Sequence, residues 1–209
     1  MVVSALIMGV LIMSANKMAQ VDSAYITEQE YLEGEKFAEE RHEYVDGVTY
    51  AMAGASRRHG RIAVNFARKL SLTDRQGNPC DIYLSDVKVR ATRSKAYYYP
   101  DVLVGCTADE SDTHYLEQPC LIVEVTSKST QWKDYTEKAV AYQKLASLQA
   151  YLIVAQDQPL VTMYYRDAET GWEVARFDGL EQALTLPCPE STLTLAEIYE
   201  GIDFTQPAE

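Results

Sequence analysis

Residues 119–129 read PCLIVEVTSKS. Leu121, Ile122, Val123 and Val125 form a short apolar run rich in β-branched residues, with turn formers on either side, the pattern of a strand buried on both faces. Glu124 sits in the middle of it. A carboxylate in such a strand costs several kcal/mol unless it is paired, protonated or bound to a metal. A second carboxylate, Asp101, opens a similar run in YYYPDVLVGC (97–106).

The two are read as halves of one metal site. If their strands align, both carboxylates reach one point, where they repel unless a divalent cation lies between them. Hard oxygen donors suit Mg²⁺ or Mn²⁺. The backbone carbonyl of Val125 is a natural further ligand.

The rest of the chain sets limits on that reading. At 209 residues, 47% apolar and 24% charged, it holds one domain with a full core. Residues 1–20 are set apart as an apolar extension and residues 21–209 as that domain. The net charge of −12 argues against a general basic nucleic-acid binder, but it leaves room for an enzyme with a local basic patch. Cys80, Cys106, Cys120 and Cys188 form no C-x-x-C pair and have no histidine at zinc-ligand spacing, so they read as small buried hydrophobes in a reducing cytoplasm. Val2 to Met13 is almost wholly apolar yet too short to span a bilayer. It is read as part of an extension from an upstream start, residues 1–17, before the ordinary opening at Met18. No stable membrane association is expected.

Along the chain, YITEQEYL (25–32) reads as a helix with Thr27 and Glu30 as a capping box. EYVDGVTYAMAG alternates around Asp46-Gly47, which predicts a hairpin of Glu43–Val45 and Val48–Met52. Ser56 caps a helix over 57–72 whose Ile62, Phe66 and Leu70 recur at helical spacing. Its Arg57, Arg58, Arg61, Arg68 and Lys69 make it basic in an acidic chain. DIYLSDVKVR (81–90) reads as one strand with a bulge at Ser85-Asp86. A second strand spans 97–104. A helix over about 131–147 would bury Trp132, Tyr135, Ala139, Tyr142 and Ala146, with Ser127, Ser129 or Thr130 as its cap. It leads into the strand Tyr151–Ala155, closing a βαβ unit with parallel strands. Strands over 161–166 and 172–177 and a short helix over 194–199 follow. The fold class is mixed α/β.

Pro100-Asp101, followed by an E-x-x motif at Glu124, resembles the signature of the PD-(D/E)XK nuclease superfamily. More closely, HEYVDG, the helix opening near His59, YLSDVKVR, YYYPDV, VEVTSKST and the spacing of Asp134, Lys138 and Tyr142 resemble the Uma2 family of restriction endonuclease-like proteins, DUF820. The likeness covers roughly residues 25–205. It implies an αβββαβ core preceded by a helix and a hairpin. It also implies a Mg²⁺- or Mn²⁺-dependent endonuclease that hydrolyses phosphodiester bonds in DNA, with Asp101 and Glu124 as ligands. Thr126 stands where the superfamily has lysine, and the family likeness moves that role to Lys138, as stabiliser of the phosphate or orienter of the water. Glu43 is implied as a further acidic ligand. His59 and Asp86 are outer candidates.

Each assignment has a plainer rival. Lys138 and Asp134 would make an ordinary surface pair at i,i+4, Asp101 a turn cap, Glu43 an exposed strand residue, His59 a surface residue and Asp86 the mark of a bulge. Two other functions stand beside the nuclease. One is a catalytically silent nuclease fold that binds nucleic acid or a protein partner. The other is a serine hydrolase using Ser127 or Ser129 with His59, which lacks a G-x-S-x-G elbow. A homodimer is left open.

Overall fold

The chain is described here by a computed structural model covering residues 25–106, 112–127 and 131–206. The apolar extension 1–17, and Ser129 and Thr130 as caps, lie outside the described residues. In chain order the elements begin with α1 (Glu28–Glu35), β1 (His42–Val45), β2 (Val48–Ala51) and α2 (Arg57–Ala67). Strands β3 (Asp81–Tyr83), β4 (Lys88–Ala91), β5 (Ala96–Tyr98), β6 (Val102–Gly105), β7 (Tyr115–Leu116) and β8 (Leu121–Thr126) follow. Next comes a continuous helical segment made of α3 (Gln131–Lys133), a π-helical turn (Asp134–Lys138) and α4 (Ala139–Tyr142). The chain continues through β9 (Ala150–Ala155), β10 (Leu160–Asp167), β11 (Gly171–Asp178), β12 (Ala183–Pro187), β13 (Glu190–Thr194) and α5 (Leu195–Ile198).

Local signals place many of these. Thr27 and Glu30 form the expected capping box. The hairpin turns at Asp46 (φ 42°) and Gly47 (φ 92°), two positive-φ residues in a row, as a tight two-residue hairpin requires. β8 and β9 pair in parallel, so the βαβ unit is present.

The sheet arrangement corrects two readings. Residues 81–90 are not one bulged strand. They divide into β3, in a six-stranded sheet of order β11-β10-β9-β8-β6-β3, and β4, in a five-stranded sheet of order β2-β1-β5-β4-β7. The apparent slip of phase is the crossing between sheets, made through Ser85 at φ 54°. The strand over 97–104 likewise divides into β5 and β6. Pro100 donates no backbone hydrogen bond, so a continuous ladder through it is disfavoured. β12 and β13 pair as a small separate hairpin, which the sequence pattern does not signal.

β8 lies in the middle of the larger sheet. Its alternate residues Leu121, Val123 and Val125 pack into a core with Ile62 and Phe66 of α2. Ile122 faces the other core, with Tyr142, Tyr151 and Ile153. With side chains alternating along a strand, Glu124 shares the side of Ile122, beneath the helical segment 131–142.

That segment is not the simple amphipathic helix expected. It ends at Tyr142 rather than near 147, and Trp132 is 64% exposed. Ala139 and Tyr142 are buried as expected, but so are Asp134 and Lys138, at 5% and 6%. The π turn adds a residue to the helical turn and re-aims the side chains it carries, a distortion common at functional sites. The surface ion pair that i,i+4 spacing offers is therefore a buried one.

Candidate active site

Glu124, 5% exposed, accepts hydrogen bonds at one oxygen from Lys138 Nζ and from the Tyr142 hydroxyl, both at 2.9 Å. Lys138 Nζ also lies 2.9 Å from Glu43 Oε1 and 3.7 Å from Asp134 Oδ1. Glu43, on β1, gives its second oxygen to Lys133 Nζ at 2.7 Å. Tyr98 lies beneath both ammonium groups, with its ring centroid 5.6 Å from Lys138 Nζ and 5.9 Å from Lys133 Nζ.

Asp101 stands one step beyond the Val102–Val123 pair of β6 and β8, level with Glu124. Its Oδ2 accepts the Val125 amide at 2.7 Å, and its Oδ1 lies 2.8 Å from His59 Nε2. The Val125 amide therefore points past the end of β6. In an extended strand a residue's N–H and C=O point to the same side, so the Val125 carbonyl points there too. The Thr126 carbonyl points the other way, accepting from Gln156 N at 3.1 Å. His59 is fixed by α2, whose Ser56 cap accepts the His59 amide at 3.2 Å.

Glu43, Glu124 and Asp134 face the ammonium groups of Lys138 and Lys133. Burial is the largest effect on Glu124 and raises it well above the ordinary carboxylate range. Lys138 opposes that, while Asp134, Asp101 and Glu43 add to it. Asp134 is raised in the same way by burial. Glu43 is also buried, but its two lysines outweigh burial and hold it low. Burial alone would lower Lys138, yet Glu124, Glu43 and Asp134 together raise it well above a free lysine. The ammonium is thus firmly charged, and one of its carboxylate neighbours is poised to hold a proton.

The donors here are hard oxygens, the kind that Mg²⁺ or Mn²⁺ takes, and the Val125 carbonyl is aimed to the same side as Asp101. The residues that could hold a divalent cation are Asp101, Glu124 and the Val125 carbonyl, Asp101 and Glu124 standing level on neighbouring strands.

A family model described as Uma2, "Putative restriction endonuclease", matches residues 28–196. The chain belongs to the Uma2 family. Among its relatives is the uncharacterized protein slr1290 of Synechocystis, 32% identical over 180 residues, or 86% of this chain and 94% of that one. Another is the uncharacterized protein sll1609 of the same organism, 32% identical over 159 residues, covering 74% and 88%. The fold resembles the crystal structure of a "putative nuclease" of DUF820 from Anabaena variabilis, with a TM-score of 0.61 and 15% identity over 78% of this chain and 91% of that one. The restriction endonuclease-like fold expected from the motifs is therefore the fold of this Uma2 chain.

Within this Uma2 site, Lys138 reaches Glu124 directly. Glu43, expected as a metal ligand, spends both oxygens on lysines, so its position is that of a holder for Lys138. His59 joins the site through Asp101. Asp86 does not: it is exposed and 3.7 Å from Arg41, beside a cleft of about 580 Å³ on the smaller sheet. His59 Nε2 faces Asp101, and Ser129, one of the two serines weighed for a hydrolase, lies outside the described residues. The sequence gives no sign of a role for Lys133, and it marks Tyr142 only as part of an apolar face and Asp134 only as a surface partner of Lys138. The i,i+4 series 134–138–142 is their one visible link to the site.

The basic helix α2 borders the same place. Arg57, Arg58 and Arg61 line a cleft of about 350 Å³ with Ser56 and the segment from Gly201 to Gln206. Arg58 donates to the carbonyls of Asp203 and Gln206, at 2.8 and 2.9 Å. Those acceptors are carbonyls, and the Asp203 carboxylate also lies within electrostatic reach of Arg58.

Proposed function

We propose that this Uma2 chain is a Mg²⁺- or Mn²⁺-dependent endonuclease that hydrolyses phosphodiester bonds in DNA. One observation carries the reading: the Lys138 ammonium is held against Glu124 at 2.9 Å, from a helix rather than from position 126. The chain thus has a cation beside its acidic strand pair although Thr126 replaces the motif lysine. The metal, bound by Asp101, Glu124 and the Val125 carbonyl, would polarise a phosphate oxygen and acidify a bound water.

The remaining work belongs to the chain. Lys138, kept charged by Glu43 and Asp134, stabilises charge developing on the phosphate. Tyr142 fixes one Glu124 oxygen. His59 orients Asp101 and is placed to accept or deliver a proton near that carboxylate. The arginines of α2 supply the local positive patch that an acidic protein needs to approach DNA. In the same reading the chain acts as a single domain over 21–209 in the cytoplasm. A homodimer is compatible with it but not needed.

Nicking of supercoiled plasmid in Mg²⁺ or Mn²⁺, abolished by a chelator and absent from a Glu124→Gln variant purified alongside, tests this. Tight DNA binding without nicking in either metal would replace the reading with that of a silent binder.

Two further outcomes follow. Glu124 holds its proton at pH values where a free glutamate has lost it, because burial and its acidic neighbours raise it. A cation must displace that proton. Mn²⁺ affinity by calorimetry should therefore rise with pH above the free-glutamate range and level off once the site is deprotonated, with about one proton released per cation at the lower end. Second, Arg57→Ala, made in the Glu124→Gln background, should weaken DNA binding regardless of sequence. It should also reduce the slope of log affinity against log salt by about one, read by fluorescence anisotropy.

A further inference from the structure

The sulfurs of Cys106, Cys120 and Cys188 lie within 4.8 Å of one another, and Cys80, the remaining cysteine of the chain, is joined to Cys106. Sheet register explains three of them. Asp81 opposes Gly105, so Cys80 and Cys106 are the next pair outward on β3 and β6. Val104 opposes Leu121, and Cys120 comes just before it, donating its amide to Val104 O at 2.8 Å. The fourth, Cys188, is brought over them by the turn between β12 and β13. The sulfurs are joined as Cys80–Cys106 and Cys120–Cys188, a departure from the free buried thiols expected. Cys106 Sγ also lies 3.5 Å from both sulfurs of the other bridge. The surroundings are apolar, including Val104, Leu121 and Leu186.

Two bridges that merely staple a fold have no need to touch. Three sulfurs drawn from separate elements to one place, with a fourth bonded to one of them, supply the donors that a tetrathiolate centre requires. Around a tetrahedral Zn²⁺ with Zn–S of about 2.3 Å, sulfurs sit about 3.8 Å apart, close to the 3.5 Å from Cys106 to each sulfur of the other bridge; opening the Cys80–Cys106 bond frees Cys80 to turn toward the same three. We propose that, in the reduced chain, Cys80, Cys106, Cys120 and Cys188 bind one thiophilic divalent cation, Zn²⁺ being the fitting one.

The chemistry balances with a dithiol as reductant. Two equivalents supply four electrons and four protons, each closing to its own disulfide, and the chain's two S–S bonds become four thiols. Entry of Zn²⁺ forms four Zn–S bonds and releases the four protons. Soft thiolates discriminate against Mg²⁺, so this centre is independent of the carboxylate site.

Its place in the fold defines a structural role. Asp101 and Cys106 lie at opposite ends of β6, about 17 Å apart along an extended strand, and Glu124 and Cys120 are about 14 Å apart on β8. The cation clamps the far ends of the two strands that present Asp101 and Glu124, with no coordination position left for substrate.

The full chain, reduced with dithiothreitol and desalted without oxygen, is titrated with Co²⁺ and then Zn²⁺, with circular dichroism on the same sample. The expected result is one Co²⁺ per chain, with thiolate-to-cobalt charge-transfer absorption and the intense bands of tetrahedral cobalt, displaced by one Zn²⁺. Cys188→Ser should weaken binding by roughly tenfold or more. A reduced chain that unfolds and is refolded by one equivalent of Zn²⁺ supports the proposal equally. It is overturned if the reduced chain shows no stoichiometric cobalt spectrum and Zn²⁺ restores no structure. It is also overturned if Cys188→Ser and Cys106→Ser bind as the parent does, or if the cysteines stay bridged in a cytosol-like excess of reduced glutathione.

Discussion

Replacing Lys138 with methionine is expected to lower the stability of the metal-free chain by roughly 3–5 kcal/mol, the usual cost of removing one partner from a buried ionic group. The ammonium lies 2.9 Å from both Glu43 and Glu124 and 3.7 Å from Asp134. Methionine fills the volume but returns none of that attraction. Lys133 still holds Glu43, and Tyr142 still holds Glu124, so the loss falls mainly on Glu124 and Asp134.

The pH dependence has a definite sign. Lys138 is raised above the ordinary lysine value, so its own contribution is fully present throughout pH 5–8. Glu124 and Asp134 are raised above ordinary carboxylates. Their ionisation therefore works against folding increasingly as pH rises past the unfolded values. Without the lysine that penalty grows. Urea denaturation of Lys138→Met should show a larger loss at pH 8 than at pH 5. Adding Glu124→Gln should recover part of it, as coupled neighbours do. A loss under about 1 kcal/mol that is the same at both pH values would contradict the buried ionic cluster.

Glu124→Gln and Asp101→Asn should each reduce metal-dependent nicking by about a thousandfold or more. The metal's charge stabilisation of the transition state is worth several kcal/mol, and each 1.4 kcal/mol is tenfold in rate. The loss should not reflect unfolding. Glutamine matches glutamate in shape and removes a buried charge that burial already disfavours, so Glu124→Gln should melt at or above the parent temperature. Calorimetry separates the roles further: Mn²⁺ binding should disappear in Glu124→Gln and persist in Lys138→Met, which loses rate instead. Equal nicking by Glu124→Gln and the parent would remove Glu124 from the chemistry.

Much of the fold is legible in the amino-acid sequence. Thr27 with Glu30, Asp46-Gly47 and Ser56 are local devices whose geometry is set by a few neighbouring residues, and each appears where its residues predict. The βαβ unit is legible because an apolar run, a helical stretch and a second apolar run leave parallel pairing as the short right-handed solution. Glu124 stands out because its neighbours in sequence are all apolar. The assignment of strands to sheets is not legible. Residues 81–90 and 97–104 are apolar enough for one strand each, and pattern alone does not say where a chain leaves one sheet for another.

Sequence by itself determined the class of fold, the family motifs and the presence of a carboxylate, Glu124, inside a buried strand. Only the tertiary structure decided what that carboxylate meets. A helical pattern assigns charged residues such as Asp134 and Lys138 to water, and a π turn buries them instead. It likewise took the register of β3, β6 and β8 to bring together cysteines whose spacing in the chain carries no signal. Partners of this kind are fixed by the meeting of distant segments, and no local preference of the backbone encodes which distant segment will arrive.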